Sequence, residues 1–124
     1  MTTKKGELQE ILKGLKNVGD VEGSAIVTRD GLLVTSELPK EVDSETFAAM
    51  SATMFGAAET AMTELKEGAV DRVISEGHDG KLIAMGAGPL ATVVVLVNAE
   101  ANLGLVLVEL RQISEKIKAI MGNN

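Results

Sequence analysis

Few side chains in this sequence stand where they could carry out chemistry. The single histidine, His78, is next to Asp79 in a stretch bounded by Gly77 and Gly80. A histidine oriented by a carboxylate can act as a general base, but it needs a nucleophile or substrate proton to act on. No serine or cysteine nucleophile is evident beside it, so we favour an exposed turn histidine and predict no catalytic residue.

Two other patterns are compatible with ligand binding but weakly so. The stretch Gly86–Ala91 is faintly similar to a glycine-rich dinucleotide loop, which requires a following helix to hold the phosphate. Pro89 and a valine-rich run follow instead, which favours a β-turn. The carboxylates of Glu64, Glu67 and Asp71 could attract a cation, but they lack the spacing of a calcium loop. We interpret them as a solvated helix end and predict no metal and no cofactor.

The composition narrows the class of partner. The net charge is −6, and the chain has two phenylalanines but no tyrosine, tryptophan or cysteine. This acidity and the shortage of stacking side chains count against nucleic acid and anionic membranes as partners. The longest apolar run, Leu90–Val97, is far too short to span a membrane, and no apolar core follows the first residues as in a secretory signal. We expect a soluble cytoplasmic protein with a single domain over residues 1–124.

The element around which the others are predicted to pack is a helix of about six turns over Asp43–Lys66, rich in alanine and methionine. One apolar stripe is predicted to face the sheet, widened by Ala48, Phe55 and Met62; it contains Phe47, Met50, Met54, Ala58, Ala61 and Leu65. The remaining face has small residues with a glycine among them: Ala49, Ala52, Thr53, Gly56, Thr60 and Thr63. This second face favours contact with another subunit; the alternative is a helix buried within one monomer.

The other elements follow from hydrophobic periodicity and turn residues. Helices are predicted over residues 4–17 and from Asn102 to the C-terminal region, and Asp30-Gly31 predicts a hairpin. The predicted strands are Gly23–Thr28, Leu32–Glu37, Val70–Glu76, Lys81–Ala87 and Leu90–Val97. Because the last of these is apolar on both faces, helices must cover both sides of the sheet. The order α-β-β-α-β-β-β-α predicts an α+β (α/β sandwich) fold around one five-stranded, mainly antiparallel sheet.

This order resembles the roadblock family, named for dynein light chains, over about Leu8–Met121. The resemblance is carried by the hairpin in Val21–Val34, the alanine- and methionine-rich middle helix, the strands in Val70–Val97 and the helix start at Asn102–Leu105. Longin and profilin-like domains share parts of the order. The resemblance implies that the first and last helices lie on one sheet face and the middle helix on the other.

The resemblance also implies a function. Members of the family dimerise through the middle helix and third strand into a ten-stranded sheet, and act as adaptors, scaffold subunits and regulators of small Ras-like GTPases. They have no typical catalytic constellation, so the chain is expected to be a non-enzymatic homodimeric adaptor or regulator. The expected dimer interface is formed by Ala49, Ala52, Phe55, Gly56, Glu59, Thr63, Arg72, Val73 and Ile74.

Several interpretations stay open at the level of sequence. Arg72 could pair with Glu76 or Asp71 of a partner subunit, or it could protect an edge strand from random pairing. The methionines of the middle helix could fill the core, which we favour, or form an adaptable binding surface. The alternative function is a small-ligand sensor in which Met85, Leu82 and the middle helix enclose an apolar pocket. An enzyme is the weakest hypothesis.

Overall fold

The computed structural model describes residues 3–122, which form three helices and five strands in the predicted order. The helices are α1 (Lys4–Leu15), α2 (Ser44–Glu64) and α3 (Leu103–Met121). The strands are β1 (Val21–Thr28), β2 (Leu33–Glu37), β3 (Arg72–Glu76), β4 (Gly80–Gly86) and β5 (Ala91–Asn98). The predicted fold class, one five-stranded sheet between helices in this order, is confirmed.

The sheet has the strand order β2-β1-β5-β4-β3, and every neighbouring pair is antiparallel. The central strand is β5, whose residues Val93, Val94 and Val95 are fully buried. The β1–β2 hairpin turns at Gly31, which has a φ of 95°. Glycine adopts this left-handed conformation without the steric cost of a Cβ, as the Asp-Gly pair predicted.

Side chains alternate between two cores, one on each face of the sheet. The larger core contains Leu12 of α1, Val95 of β5 and Leu110 of α3. The smaller core contains Phe55 of α2 and, on the sheet, the small residues Ala25 and Ala84. The two outer helices therefore share one face and α2 covers the other, as expected.

Capping residues define the starts of α2 and α3. Asp43 accepts hydrogen bonds from the backbone N–H of Glu45 and of Thr46, and Asn102 accepts one from Leu105. These bonds satisfy donors that a helix N-terminus would otherwise leave unpaired. The predicted helix Asp43–Lys66 is thus one residue shorter at its start and two at its end. None of the helices within residues 3–122 is both long and apolar enough to span a bilayer.

The two edges of the sheet differ. Strand β2 is tied to α1, because Gln9 donates to the Ser36 carbonyl oxygen (3.2 Å) and Lys16 pairs with Glu37 (3.0 Å). Within residues 3–122, no side-chain hydrogen bond or ion pair joins β3 to another element. Strand β3 is therefore the more open edge, with exposed Arg72 and Glu76 at its ends.

Candidate functional site

The face that α2 turns toward the sheet is not the one that the sequence predicts. Ala48, Ser51 and Phe55 are the buried residues of the helix, at intervals of three and four. Small side chains at two of these positions, facing alanines of the sheet, let the helix lie close to the strands. The predicted sheet-facing residues Met50 and Leu65 are instead 60% and 67% exposed.

The outward face of α2 is exposed, and the exposed residues of the helix between Glu45 and Glu59 are uncharged. This surface, which we call the α2 face, combines one large apolar side chain, Met50, with threonines and alanines. Its exposed members are Thr46, Met50, Thr53, Ala57, Thr60 and Ala61. An exposed helix normally presents charged residues to water, so this composition marks a surface that is suited to burial against a partner.

Two of the small residues of α2 serve a contact within the protomer. A Cβ at Gly31, in the β1–β2 turn, would lie 3.4 Å from the Ala49 Cα atom and 3.7 Å from the Ala52 Cβ atom. The turn therefore packs directly on this flank of the helix, which is possible because both partners lack bulk. The close approach that the small residues predict is made in part by the chain's own hairpin.

Arg29, at the end of β1, joins three parts of the fold. Its guanidinium donates to the Gly88 carbonyl oxygen (2.8 Å) and pairs with the Glu59 carboxylate (3.3 Å). It also lies 5.0 Å from the centre of the Phe55 ring, within the range of a cation–π contact. A Cβ at Gly86 would lie 3.0 Å from Nη2 of Arg29, so the arginine needs a glycine beneath it.

An open groove of about 580 Å³ runs between the C-terminal half of α2 and strand β3. It is lined by Ala58 and Met62 of the helix, by the segment 67–71, and by Arg72 and Val73. Val73 belongs to the smaller core beneath α2, whereas Ile74 packs against the larger core on the opposite face. The groove thus connects the α2 face to the open edge of the sheet.

The nine predicted interface residues do not form one surface. Gly56 lies on α2 with no heavy atom within 4 Å of an added Cβ, and Thr63 is exposed. Phe55 is only 2% exposed, so its place in a subunit contact is wrong: the ring fills the smaller core. The remaining members lie in three places. Ala49 and Ala52 pack under the β1–β2 turn, and Glu59 pairs with Arg29. The edge strand β3 contains Arg72, Val73 and Ile74.

The pocket predicted for a small ligand is not formed. Met85 and Leu82 are three residues apart on β4, so they point to opposite faces of the sheet. Met85 lies in the larger core and Leu82 packs against the smaller one. They cannot line one cavity with α2.

The glycine-rich stretch and His78 lie in turns of the sheet. Gly88 and Pro89 lie in the turn between β4 and β5, as predicted, whereas Leu90, predicted to begin the last strand, belongs to the turn as well. His78 is exposed in the turn before β4. Within residues 3–122, no group of three or more acidic or histidine side chains is arranged to hold a metal ion.

Sequence reasoning missed the outward position of Met50 and the contacts of Arg29. Because apolar residues surround α2 on nearly all sides, periodicity alone could not select the face that meets the sheet. The stretch from Thr46 to Ala58 also contains no charged residue that would mark the outward side. No short-range pattern links Arg29 to Glu59 or to Gly88, which are distant in sequence.

Residues 7–97 match the Roadblock/LC7 domain. An uncharacterised protein of Methanocaldococcus jannaschii, MJ1340, is 37% identical over 113 residues, which cover 91% of this chain and 98% of that protein.

Solved structures agree in fold. MglB of Myxococcus xanthus superposes with a TM-score of 0.87 at 19% identity, covering 93% of this chain and 94% of that one. A second structure, of MglB with a tetrameric arrangement, superposes with a TM-score of 0.88 at 19% identity, covering 97% of this chain and 91% of that one. Together with the strand order, the helix placement and the match over most of the sequence, these comparisons establish that the chain belongs to the Roadblock/LC7 family.

Proposed function

We propose that this protein is a homodimeric adaptor of the cytoplasm that binds and regulates a small Ras-like GTPase. The Roadblock/LC7 family is one of regulatory and adaptor domains. The whole chain would act as one such domain, paired with a second copy through α2 and strand β3. No catalytic role is assigned to any residue.

The observation that carries the proposal is the uncharged α2 face beside an open sheet edge. Met50 is 60% exposed on a helix whose exposed residues between Glu45 and Glu59 are uncharged. Burial of such a surface is favourable by about 25 cal/mol for each Å² of apolar area. A second copy would cover it, while antiparallel pairing of β3 with β3 would satisfy the free backbone groups of the edge.

The charges on β3 fit such a pairing. Arg72 and Glu76 stand at opposite ends of the strand, and both are exposed. In an antiparallel arrangement around a two-fold axis, Arg72 of one protomer comes near Glu76 of its partner. Asp71 is a further acceptor next to the strand. The same charges in a monomer would act only as edge protection.

The GTPase partner is proposed from the family resemblance. The family's regulators alter a GTPase without inserting an arginine, so an exposed reactive side chain is not required. An MglB structure of similar fold has a tetrameric arrangement, which supports self-association as a property of this architecture. The surface offered to the GTPase would be the dimer's paired helices or the faces beside them.

The dimer is tested by Met50→Glu. A carboxylate in the centre of a helix pair would be desolvated without a partner, so we expect the solution mass to fall from about twice 13.0 kDa to 13.0 kDa. Leu105→Glu is the matched control, because Leu105 is 50% exposed on α3, on the opposite side of the sheet. Light scattering gives the mass, and circular dichroism verifies that both variants fold.

Equal masses for the two variants and the unmodified chain would exclude Met50 from the interface. The GTPase partner is tested separately, by measuring binding of candidate small GTPases loaded with GDP or GTP to the immobilised protein. Preference for the GTP-loaded form supports a regulator. Equal binding of the GDP-loaded and GTP-loaded forms supports an adaptor without a regulatory role. A dimer that binds none of the candidate GTPases would contradict the proposed GTPase partner.

A further inference from the structure

We infer that a cavity next to Arg29 is a binding site for a phosphate group, and we call it the Arg29 cavity. It has a volume of about 450 Å³ and lies where the β4–β5 turn meets α3. Three cations line it, namely Arg29, Arg111 and Lys118. None of the residues of the α2 face lines this cavity.

Basic residues form a larger share of the charged residues in this lining than in the chain as a whole. The sequence has 18 acidic and 12 basic residues, yet the cavity is lined by three basic residues and two acidic ones, Asp71 and Glu115. Within residues 3–122, no carboxylate lies within 4.0 Å of the Arg111 or Lys118 side-chain nitrogens. Two cations are therefore available to an incoming anion.

The third cation is held in place before any ligand arrives. Arg29 is fixed by the Gly88 carbonyl oxygen, the Glu59 carboxylate and the Phe55 ring. Only two of its five N–H donors are occupied by these bonds. A guanidinium that is already ordered loses little conformational entropy when it binds, which favours a rigid anion receptor.

Two glycines keep the cavity open. A Cβ at Gly88 would lie 2.8 Å from Cγ of Lys118, and Gly88 has a φ of 82°, which disfavours other residues. A Cβ at Gly86 would press on Nη2 of Arg29. Side-chain-free backbone at both positions lets the two cations approach the turn from either face of the sheet.

Phosphate is the anion that this arrangement fits best. A phosphate monoester has a charge between −1.5 and −2 at neutral pH and three acceptor oxygens, which suit the several donors that line the cavity. A carboxylate has a single charge, so it would balance only one of the two unpaired cations, Arg111 and Lys118. The phosphate could be free or part of a nucleotide.

The test is a titration of the ¹⁵N-labelled protein with inorganic phosphate and, separately, with guanosine monophosphate at constant ionic strength. We expect saturable shifts of the Gly86 and Gly88 amide signals. Arg111→Gln and Lys118→Gln should each raise the Kd about threefold, whereas Glu115→Gln should lower it about threefold, as expected for partly exposed charges. Binding of phosphate alone indicates a site for the free ion, and binding of both indicates that a nucleotide is admitted.

Matched controls distinguish binding in the Arg29 cavity from an effect of the protein's overall charge on phosphate binding. Lys116→Gln and Glu109→Gln make the same charge changes on α3, but both residues line a different groove, between α1 and α3. They should leave the Kd unchanged. Shifts that grow linearly without saturation, or control variants that change the Kd as much as Arg111→Gln and Glu115→Gln, would overturn the inference.

Discussion

Arg29 connects α2, the end of β1 and the β4–β5 turn, three parts of the chain that are distant in sequence. We expect Arg29→Lys to lower the free energy of unfolding by about 1–2 kcal/mol, because lysine keeps the charge but loses the planar contact with Phe55 and the forked donors. Urea denaturation measures the change. Arg111→Lys is the control, since Arg111 is exposed on α3 and the described part of the chain gives it no ion pair. If the two substitutions lower the free energy of unfolding equally, the contacts of Arg29 do not stabilise the fold as described.

Asp43 makes the stability of the fold sensitive to acid. The backbone N–H of Thr46, followed by the Thr46 hydroxyl, holds the pKa of this carboxylate below its ordinary value. A lowered pKa in the folded state stabilises the protein above about pH 4, the ordinary pKa of aspartate, and this contribution is lost as the pH falls through the lowered pKa. Asp43→Asn keeps a capping oxygen but cannot titrate, so its stability should fall less steeply below about pH 4. The free energy of unfolding is measured by urea denaturation at a series of pH values. If it falls equally steeply with pH in the two proteins, this account is contradicted.

At the scale of single elements, α2 marks the limit of sequence reasoning. Its existence and its N-cap at Asp43 follow from helix propensity and capping chemistry, which are local. The face it turns to the sheet depends on how closely Ala48 and Ser51 approach Ala25 and Ala84, and such packing is not local. Sequence reasoning therefore places Phe55 in the subunit contact although it fills the core, and Met50 against the sheet although it is exposed.

Gly56 allows the fold and the interface to be tested at one position. It lies within α2 with no heavy atom within 4 Å of an added Cβ, so Gly56→Ala should stabilise the fold by about 0.5–1 kcal/mol through helix propensity. Gly56→Leu should keep the helix but separate the proposed dimer, because its bulk prevents close approach. Urea denaturation at one protein concentration and light scattering measure the two effects. A destabilised alanine variant would contradict the first expectation, and a leucine variant that stays dimeric would remove Gly56 from the interface.

For the whole molecule, the sequence is sufficient to predict the order of the elements and the presence of helices on both faces of the sheet. The valine-rich strand β5 required helices on both faces, and the Asp30-Gly31 pair required a hairpin. Neither depends on distant contacts. The Arg29 contacts and the Arg29 cavity could not be predicted, because they bring together β1, α2, the β4–β5 turn and α3 only after the chain has folded.

The central claim is that two copies of this chain pair through α2 and β3. The most direct measurement is the solution mass of the unmodified protein at micromolar concentration, by light scattering. The account predicts about 26 kDa, twice the 13.0 kDa of one chain. A mass of 13.0 kDa over the whole accessible concentration range would contradict the dimer and leave the uncharged α2 face without its proposed partner.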